Sequence, residues 1–146
     1  MNTIHQNMNI QELLKTRNAG FLRLAFIHNY DCSLKSILQR FGLIAEPDRL
    51  HVINRAQALT AIESILWKDL AYGYEIMPRE TARAYAEAFL TNYGSKEYTF
   101  YSNGDWTLDD QSSVRGWNPM TEATFDAGVV VVGSRSAACL WVEDED

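Results

Sequence analysis

Residues 125–146, FDAGVVVVGSRSAACLWVEDED, decide the fold of this chain, because they hold two apolar runs on either side of a turn. The first run covers residues 129–132, the turn 133–136 and the second run 137–142. Apolar and β-branched runs that flank a Gly/Ser turn are typical of a β-hairpin. The valine run has no polar alternation, so we expect a central strand that is covered on both faces. The four acids that follow are expected to extend from the sheet into water.

The spacing of apolar residues changes from a helical to a strand-like period near Gly94. Before it, residues 32–41 carry an apolar stripe and Asn54 with Gln57 forms a capping box that opens a long helix. After it, Asn103-Gly104 between strand-like runs predicts a hairpin. The order predicts one α+β domain over residues 1–146. We expect N-terminal helices, at about 10–93, on one face of an antiparallel sheet of about four strands at about 97–143.

Residues 21–28, FLRLAFIH, form a short apolar run with one charge, and periodicity alone does not separate helix from strand. Because the neighbouring segments have helical patterns, the sequence favours a helix here.

Charge is distributed unevenly along this chain of net charge −6. Residues 1–96 carry 11 Lys+Arg and 9 Asp+Glu, whereas residues 97–146 carry 2 and 10, which is −8. An acidic final third repels phosphates and argues against nucleic acid as a partner, but it attracts a basic protein. The alternative is that the acids only keep the protein soluble. Residues 1–9 are polar and no apolar run is long enough to cross a bilayer, so we expect a cytoplasmic protein without membrane contact.

The sequence contains few residues in patterns that carry chemistry. His28 and Cys32 could form a nucleophile pair, and with His51 and Cys139 they could bind zinc, but close ligand spacing is missing. There is no phosphate-binding glycine loop and no GxSxG motif. We therefore expect no catalytic residues, no metal and no cofactor.

The final third combines acids with aromatic residues, notably in WNPMTEATFDAG and LWVEDED. In size, charge and these segments the chain resembles bacterial immunity proteins of interbacterial toxin systems, including the contact-dependent inhibition type. The resemblance implies a non-enzymatic inhibitor that binds and neutralises a cognate toxin, often a basic nuclease, in bacterial competition. These families share no common motif, so the resemblance carries no binding residue over.

The acids and aromatics themselves indicate the partner-binding surface, since Tyr and Trp are enriched at interfaces and acids speed the capture of a basic partner. The expected partner-binding residues are Asp105, Trp106, Asp109, Asp110, Trp117, Glu143, Asp144, Glu145 and Asp146. The two tryptophans would be the buried anchors.

Two alternatives stay open. The chain could be a small enzyme or ligand-binding domain with a pocket between helices and sheet that uses His28, Cys32 or Trp117. It could also be a structural or regulatory subunit that acts only as an oligomer. A concave pocket with convergent polar groups would favour the first alternative over an acidic binding face.

Overall fold

A computed structural model describes residues 9–28, 33–94, 96–106 and 116–145. These residues form four α-helices and five β-strands. The helices are α1 (Leu13–Thr16), α2 (Leu34–Phe41), α3 (Arg55–Trp67) and α4 (Arg79–Leu90). The strands are β1 (Phe21–His28), β2 (His51–Ile53), β3 (Thr99–Ser102), β4 (Phe125–Val132) and β5 (Ser136–Asp144). The α+β class expected from the sequence is confirmed.

The strands form one antiparallel sheet in the order β1-β5-β4-β3-β2. The predicted hairpin is the pair β4–β5, which runs from Phe125 opposite Asp144 to Val132 opposite Ala137. Each of these two strands has a neighbour on both sides, so the valine run is central as predicted. The sheet thus has five strands rather than about four.

Two strands come from the half of the chain that the sequence assigned to helices. Residues 21–28 form β1 and pair with β5 along their whole length, which corrects the preference for a helix. Residues 51–53 form β2, which pairs with β3. Within the described residues, Asn103-Gly104 does not form the turn of the predicted hairpin. The strand just before it, β3, pairs with β2 and β4 instead. The side chain of Asn103 is buried and bonded to the chain around Asp126.

The sheet separates two apolar clusters, because alternate residues of a strand point to opposite faces. Ala138, Leu140 and Val142 of β5 face the larger cluster, which includes the buried sides of α3 and α4. Cys139 and Trp141 face a smaller cluster with α2. The expected packing of helices on the sheet is therefore present, but α2 lies on the face opposite α3 and α4.

The long helix α3 begins as the sequence predicts. The Asn54 side chain accepts a hydrogen bond from the Gln57 backbone, and the Gln57 side chain accepts one from the Asn54 backbone. The helix ends at Trp67, and the loop that follows is bonded to the end of β5, because the Leu70 backbone N–H donates to Asp144. That loop and the end of β5 form the site described next.

Candidate functional site

A groove of about 280 Å³ lies where the end of β5 meets the loop between α3 and α4. The turn after α1 forms its third side. Four of its nine lining residues are acids and none is lysine or arginine, so we name it the acidic groove. The residues that line it are Asn18, Ala19, Gly20, Asp69, Tyr74, Glu75, Ile76, Asp144 and Glu145.

Hydrogen bonds hold the α3–α4 loop in one shape. The Asp69 carboxylate accepts bonds from the backbone N–H groups of Tyr72 and Tyr74, at 2.8 and 2.7 Å. Gly73 between them has a φ of 73°, a conformation that glycine adopts without strain. Lys68 and Glu75 close the loop with an antiparallel bridge. The loop therefore presents its side chains from a preorganised backbone.

This loop carries the most exposed aromatic side chains among the residues that the structure describes. Tyr72 and Tyr74 are 61% and 71% exposed, and their rings stack with centroids 5.7 Å apart. Tyr74 also lines the acidic groove. The site thus combines carboxylates with a flat aromatic surface in contact with water.

The floor of the groove is a buried ion pair. Asp144 binds the guanidinium of Arg17 through two hydrogen bonds of 3.0 and 2.8 Å and also accepts a bond from the Leu70 backbone. Gly20 passes so close that a Cβ there would lie 2.1 Å from a carboxylate oxygen of Asp144. Arg17 therefore balances the charge of Asp144, which belongs to the framework of the site.

Hydrogen bonds orient two of the acids at the rim of the groove, Glu75 and Glu145. Glu75 accepts a bond of 2.8 Å from the indole N–H of Trp67. Glu145 accepts bonds from the backbone N–H and the hydroxyl of Thr124. These bonds orient the two carboxylates at the groove, which no lysine or arginine of the described residues lines.

The structure divides the acids that the sequence grouped together. Glu145 lies at the groove, but Glu143 points to the other face of the sheet and pairs with Arg23 at 2.7 Å. Asp105 lines a separate cavity of about 190 Å³ beside His51. Glu143 and Asp144 belong to β5, so the acids that follow Val142 do not all extend into water. The predicted site residues Asp109, Asp110 and Asp146 lie outside the described residues.

The two predicted tryptophan anchors contact each other, and their surroundings differ. Trp106 is 4% exposed and its indole N–H donates to Asn103 at 3.0 Å, so it belongs to the core. Trp117 is partly exposed and stacks between Trp106 and Phe125, with ring centroids 5.9 and 5.6 Å away. Trp106 is therefore not available as an anchor, whereas Trp117 keeps part of its surface exposed and stays a predicted binding residue.

Sequence reasoning missed the tyrosines and the carboxylates of the α3–α4 loop. A usable signal was present, since the run Tyr72-Gly73-Tyr74-Glu75 places two aromatics around a glycine after an apolar helix. The sequence, however, also lets this run continue the helical spacing of α3, since Leu70 and Tyr74 are four residues apart. The helix stops at Trp67 because Lys68 adopts an extended conformation and bridges to Glu75.

A second concavity, the β1 groove, has a volume of about 370 Å³ and lies between α4 and β1. It fits the alternative of a pocket between helices and sheet, and His28 lines it. Burial and the neighbouring Tyr98 raise the pKa of Tyr93 at its wall. Of the other residues named for that alternative, Cys32 lies outside the described residues and Trp117 is not part of this groove. The remaining lining is mostly apolar.

Two further findings limit the chemistry of the described part of the chain. No cluster of three or more His, Cys, Asp or Glu residues there is placed to hold a metal ion. Cys139 is fully buried, and burial raises its pKa to about 12, so its thiol stays protonated and unreactive at neutral pH.

Within the residues that the structure describes, no helix has the length and apolarity to cross a membrane.

Comparison with protein-family models, with curated proteins and with solved structures found no significant match to this chain.

Proposed function

We propose that this chain is a non-enzymatic immunity protein that binds and neutralises a cognate basic bacterial toxin through the acidic groove. The observation that carries the proposal is the pairing of a carboxylate-lined groove with two exposed, stacked tyrosines on one hydrogen-bonded loop. Acids and aromatics are also the two components expected of the partner-binding surface from the sequence, although of the expected residues that the structure describes only Asp144 and Glu145 line this groove.

The charge of the groove supports a basic partner. Asp69, Glu75 and Glu145 line it, whereas the charge of Asp144 is balanced by Arg17. A surface of one sign speeds encounter with a partner of the opposite sign and excludes partners of like sign. A nuclease fits this chemistry, because an enzyme that binds phosphates needs basic residues at its active site and these would meet the acids.

The two tyrosines support a protein partner. Tyrosine is enriched among the residues that dominate binding energy, since it contributes a large contact area with few rotatable bonds. Its ring also stacks on the guanidinium plane of arginine, the side chain that the neighbouring acids attract. Tyr74 is both exposed and part of the groove wall, so we assign it the role of central anchor.

The first experiment identifies the partner and tests neutralisation. The tagged protein is used to capture proteins from a lysate of its source cells at low and at moderate salt, and mass spectrometry identifies them. The captured protein is then expressed in a test bacterium alone and together with this chain. We expect one basic protein that stops growth alone and permits growth when this chain is present.

The acidic groove is tested with two double variants that each remove two negative charges. Glu75→Gln/Glu145→Gln changes the rim, and Asp48→Asn/Glu97→Gln changes exposed acids that do not line the groove. We expect the rim variant to slow association with the captured toxin about tenfold at low salt and to weaken its salt dependence. The control variant should bind like the unmodified protein, and Tyr74→Ala should mainly speed dissociation.

Equal association rates for the two double variants would refute the role of the groove. Capture of a protein without toxicity, or of none, would refute the immunity function itself.

The β1 groove supports a second candidate function, that of a small enzyme or ligand-binding domain. Its polar groups include the His28 imidazole, the Asn92 amide and the Tyr98 hydroxyl, around an apolar floor. A concave apolar site with a few convergent polar groups is the usual form of a small-molecule site. A metabolite that raises the melting temperature of the protein, but not of a His28→Ala variant, would favour this function.

A further inference from the structure

β1 is a long edge strand with one side unpaired among the described residues. It pairs with β5 in an unbroken register of eight residues, from Phe21 opposite Glu143 to His28 opposite Ser136. No other strand of the described chain pairs with it. An edge strand leaves a row of backbone N–H and C=O groups that can pair with a further strand. At about 3.4 Å per residue, this row is about 27 Å long.

β1 lacks the features that usually protect an edge from pairing. Proteins protect edges with short strands, prolines, bulges or exposed lysines. The opposite edge, β2, is protected by its length of three residues. β1 has no proline and no bulge, and its one charge, Arg23, is bound to Glu143 and to the Phe41 carbonyl.

The exposed apolar side chains of β1 also favour a further strand. Phe26 is 60% exposed and shares a strand face with Leu22 and Leu24, which contact the larger core cluster. On this face Phe26 lines the β1 groove and packs edge-on against His28, with ring centroids 4.8 Å apart. A partner strand beside β1 would cover the Phe26 ring.

We propose that two copies of this chain pair through β1, antiparallel across a twofold axis, to form a ten-stranded sheet. An axis perpendicular to the sheet keeps each face continuous, so residues opposite one another must lie on the same face. With Leu24 opposite Leu24 of the partner subunit, Phe26 lies opposite Leu22 of the partner subunit. The exposed ring then meets an aliphatic side chain, and such cross-strand pairs stabilise sheets.

Charge favours a second copy over a strand of the basic toxin. The only formally charged residue of β1 is Arg23, which already pairs with Glu143. In this register Arg23 lies opposite Ala25 of the partner subunit. A lysine-rich or arginine-rich strand would add unpaired cations beside Arg23, whereas the neighbouring Arg23 of the partner subunit brings its own Glu143. The acidic groove is lined by residues of the α3–α4 loop, the turn after α1 and the end of β5. Neither Phe26 nor His28 of β1 lines it.

The first test measures mass against concentration by sedimentation velocity. A single strand pair is a small interface, so we expect a reversible dimer with a dissociation constant of roughly 1 to 100 μM. Phe26→Lys puts a charge opposite Leu22 of the partner subunit and should leave only monomer at every concentration. The matched control is Val52→Lys on the opposite edge, where Val52 is 65% exposed, and it should dimerise within twofold of the unmodified protein.

The second test locates the axis by cross-linking. In a Cys32→Ser background, Leu24→Cys should form a disulfide-linked dimer under mild oxidation, because paired residues of adjacent strands lie within disulfide distance. Val52→Cys should not link. If Ala25→Cys links instead, the register is shifted by two residues, with Ala25 on the axis, and the edge is still the interface.

A monomer at all concentrations would overturn the proposal. So would a dimer that persists in Phe26→Lys or that neither Leu24→Cys nor Ala25→Cys can cross-link, because the contact would then lie elsewhere.

Discussion

At the scale of single residues, Asp126 is the most demanding position of the core. Its fully buried carboxylate accepts hydrogen bonds from the Asn103 amide, the Met120 and Thr121 backbones and the Trp141 indole, at 3.0 to 3.3 Å. All of these groups donate, and an ionised carboxylate only accepts. Asp126 thereby joins β4 to the segment that precedes it and to the indole of β5.

We expect Asp126→Asn to lower the free energy of unfolding by about 1–3 kcal/mol, because the amide NH₂ would face buried donors that then lose their acceptor. Urea denaturation measures this loss, with exposed Asp48→Asn as the neutral control. Burial raises the pKa of Asp126 despite its donors. The folded protein therefore binds this proton more tightly than the unfolded chain, whose aspartates have a pKa of about 3.9.

The stability contributed by the Asp126 proton is fully present below the pKa that Asp126 has in the unfolded chain. It is lost as the pH rises through the pKa that Asp126 has in the folded protein. The advantage over Asp126→Asn should thus shrink as pH increases above about 4. An advantage that grew with pH would mean that the hydrogen bonds outweigh burial.

At the scale of elements, α3 and β1 show when the local sequence is sufficient to predict a helix or a strand. The start of α3 was predictable, because the capping box is complete within four consecutive residues and requires nothing distant. β1 was not predictable from FLRLAFIH, since the same apolar run suits a helix or a strand. Its state is decided by β5, which lies more than a hundred residues later in the chain and supplies its hydrogen bonds.

Asn54→Ala should lower the free energy of unfolding by about 1 kcal/mol, because it removes the side-chain acceptor of the Gln57 backbone N–H. Thermal or urea denaturation measures the change. Asn54→Asp keeps an acceptor and should restore most of the stability. Equal losses for Ala and Asp would show that the cap contributes nothing at this helix.

At the scale of the whole molecule, the pair between Arg17 and Asp144 holds three parts of the chain together. Arg17 follows α1 and Asp144 ends β5, and the guanidinium also donates to the Ile65 carbonyl of α3 at 3.3 Å. Both side chains are almost completely buried. The acidic groove lies directly above this pair, so the shape of the proposed binding site depends on it.

Removal of one member of this pair should cost about 3–5 kcal/mol, because the other charge stays buried without a partner. Arg17→Met and Asp144→Leu test this singly, and the double variant should be less destabilised than the sum of the two. Urea denaturation of all four proteins gives the coupling energy. An additive result would show that the two charges do not stabilise one another.

The sequence by itself determined the α+β class, the central β4–β5 hairpin, the capping box of α3 and the acidity of the final third, because each of these depends on neighbours in the chain or on composition. Only the tertiary structure decided that residues 21–28 form a strand, that Trp106 is buried and that Glu143 and Asp144 are paired. It also brought Tyr74, Glu75 and Glu145 to one groove. These outcomes depend on contacts between residues far apart in sequence, since a residue's exposure and charge partner are set by the elements that fold against it.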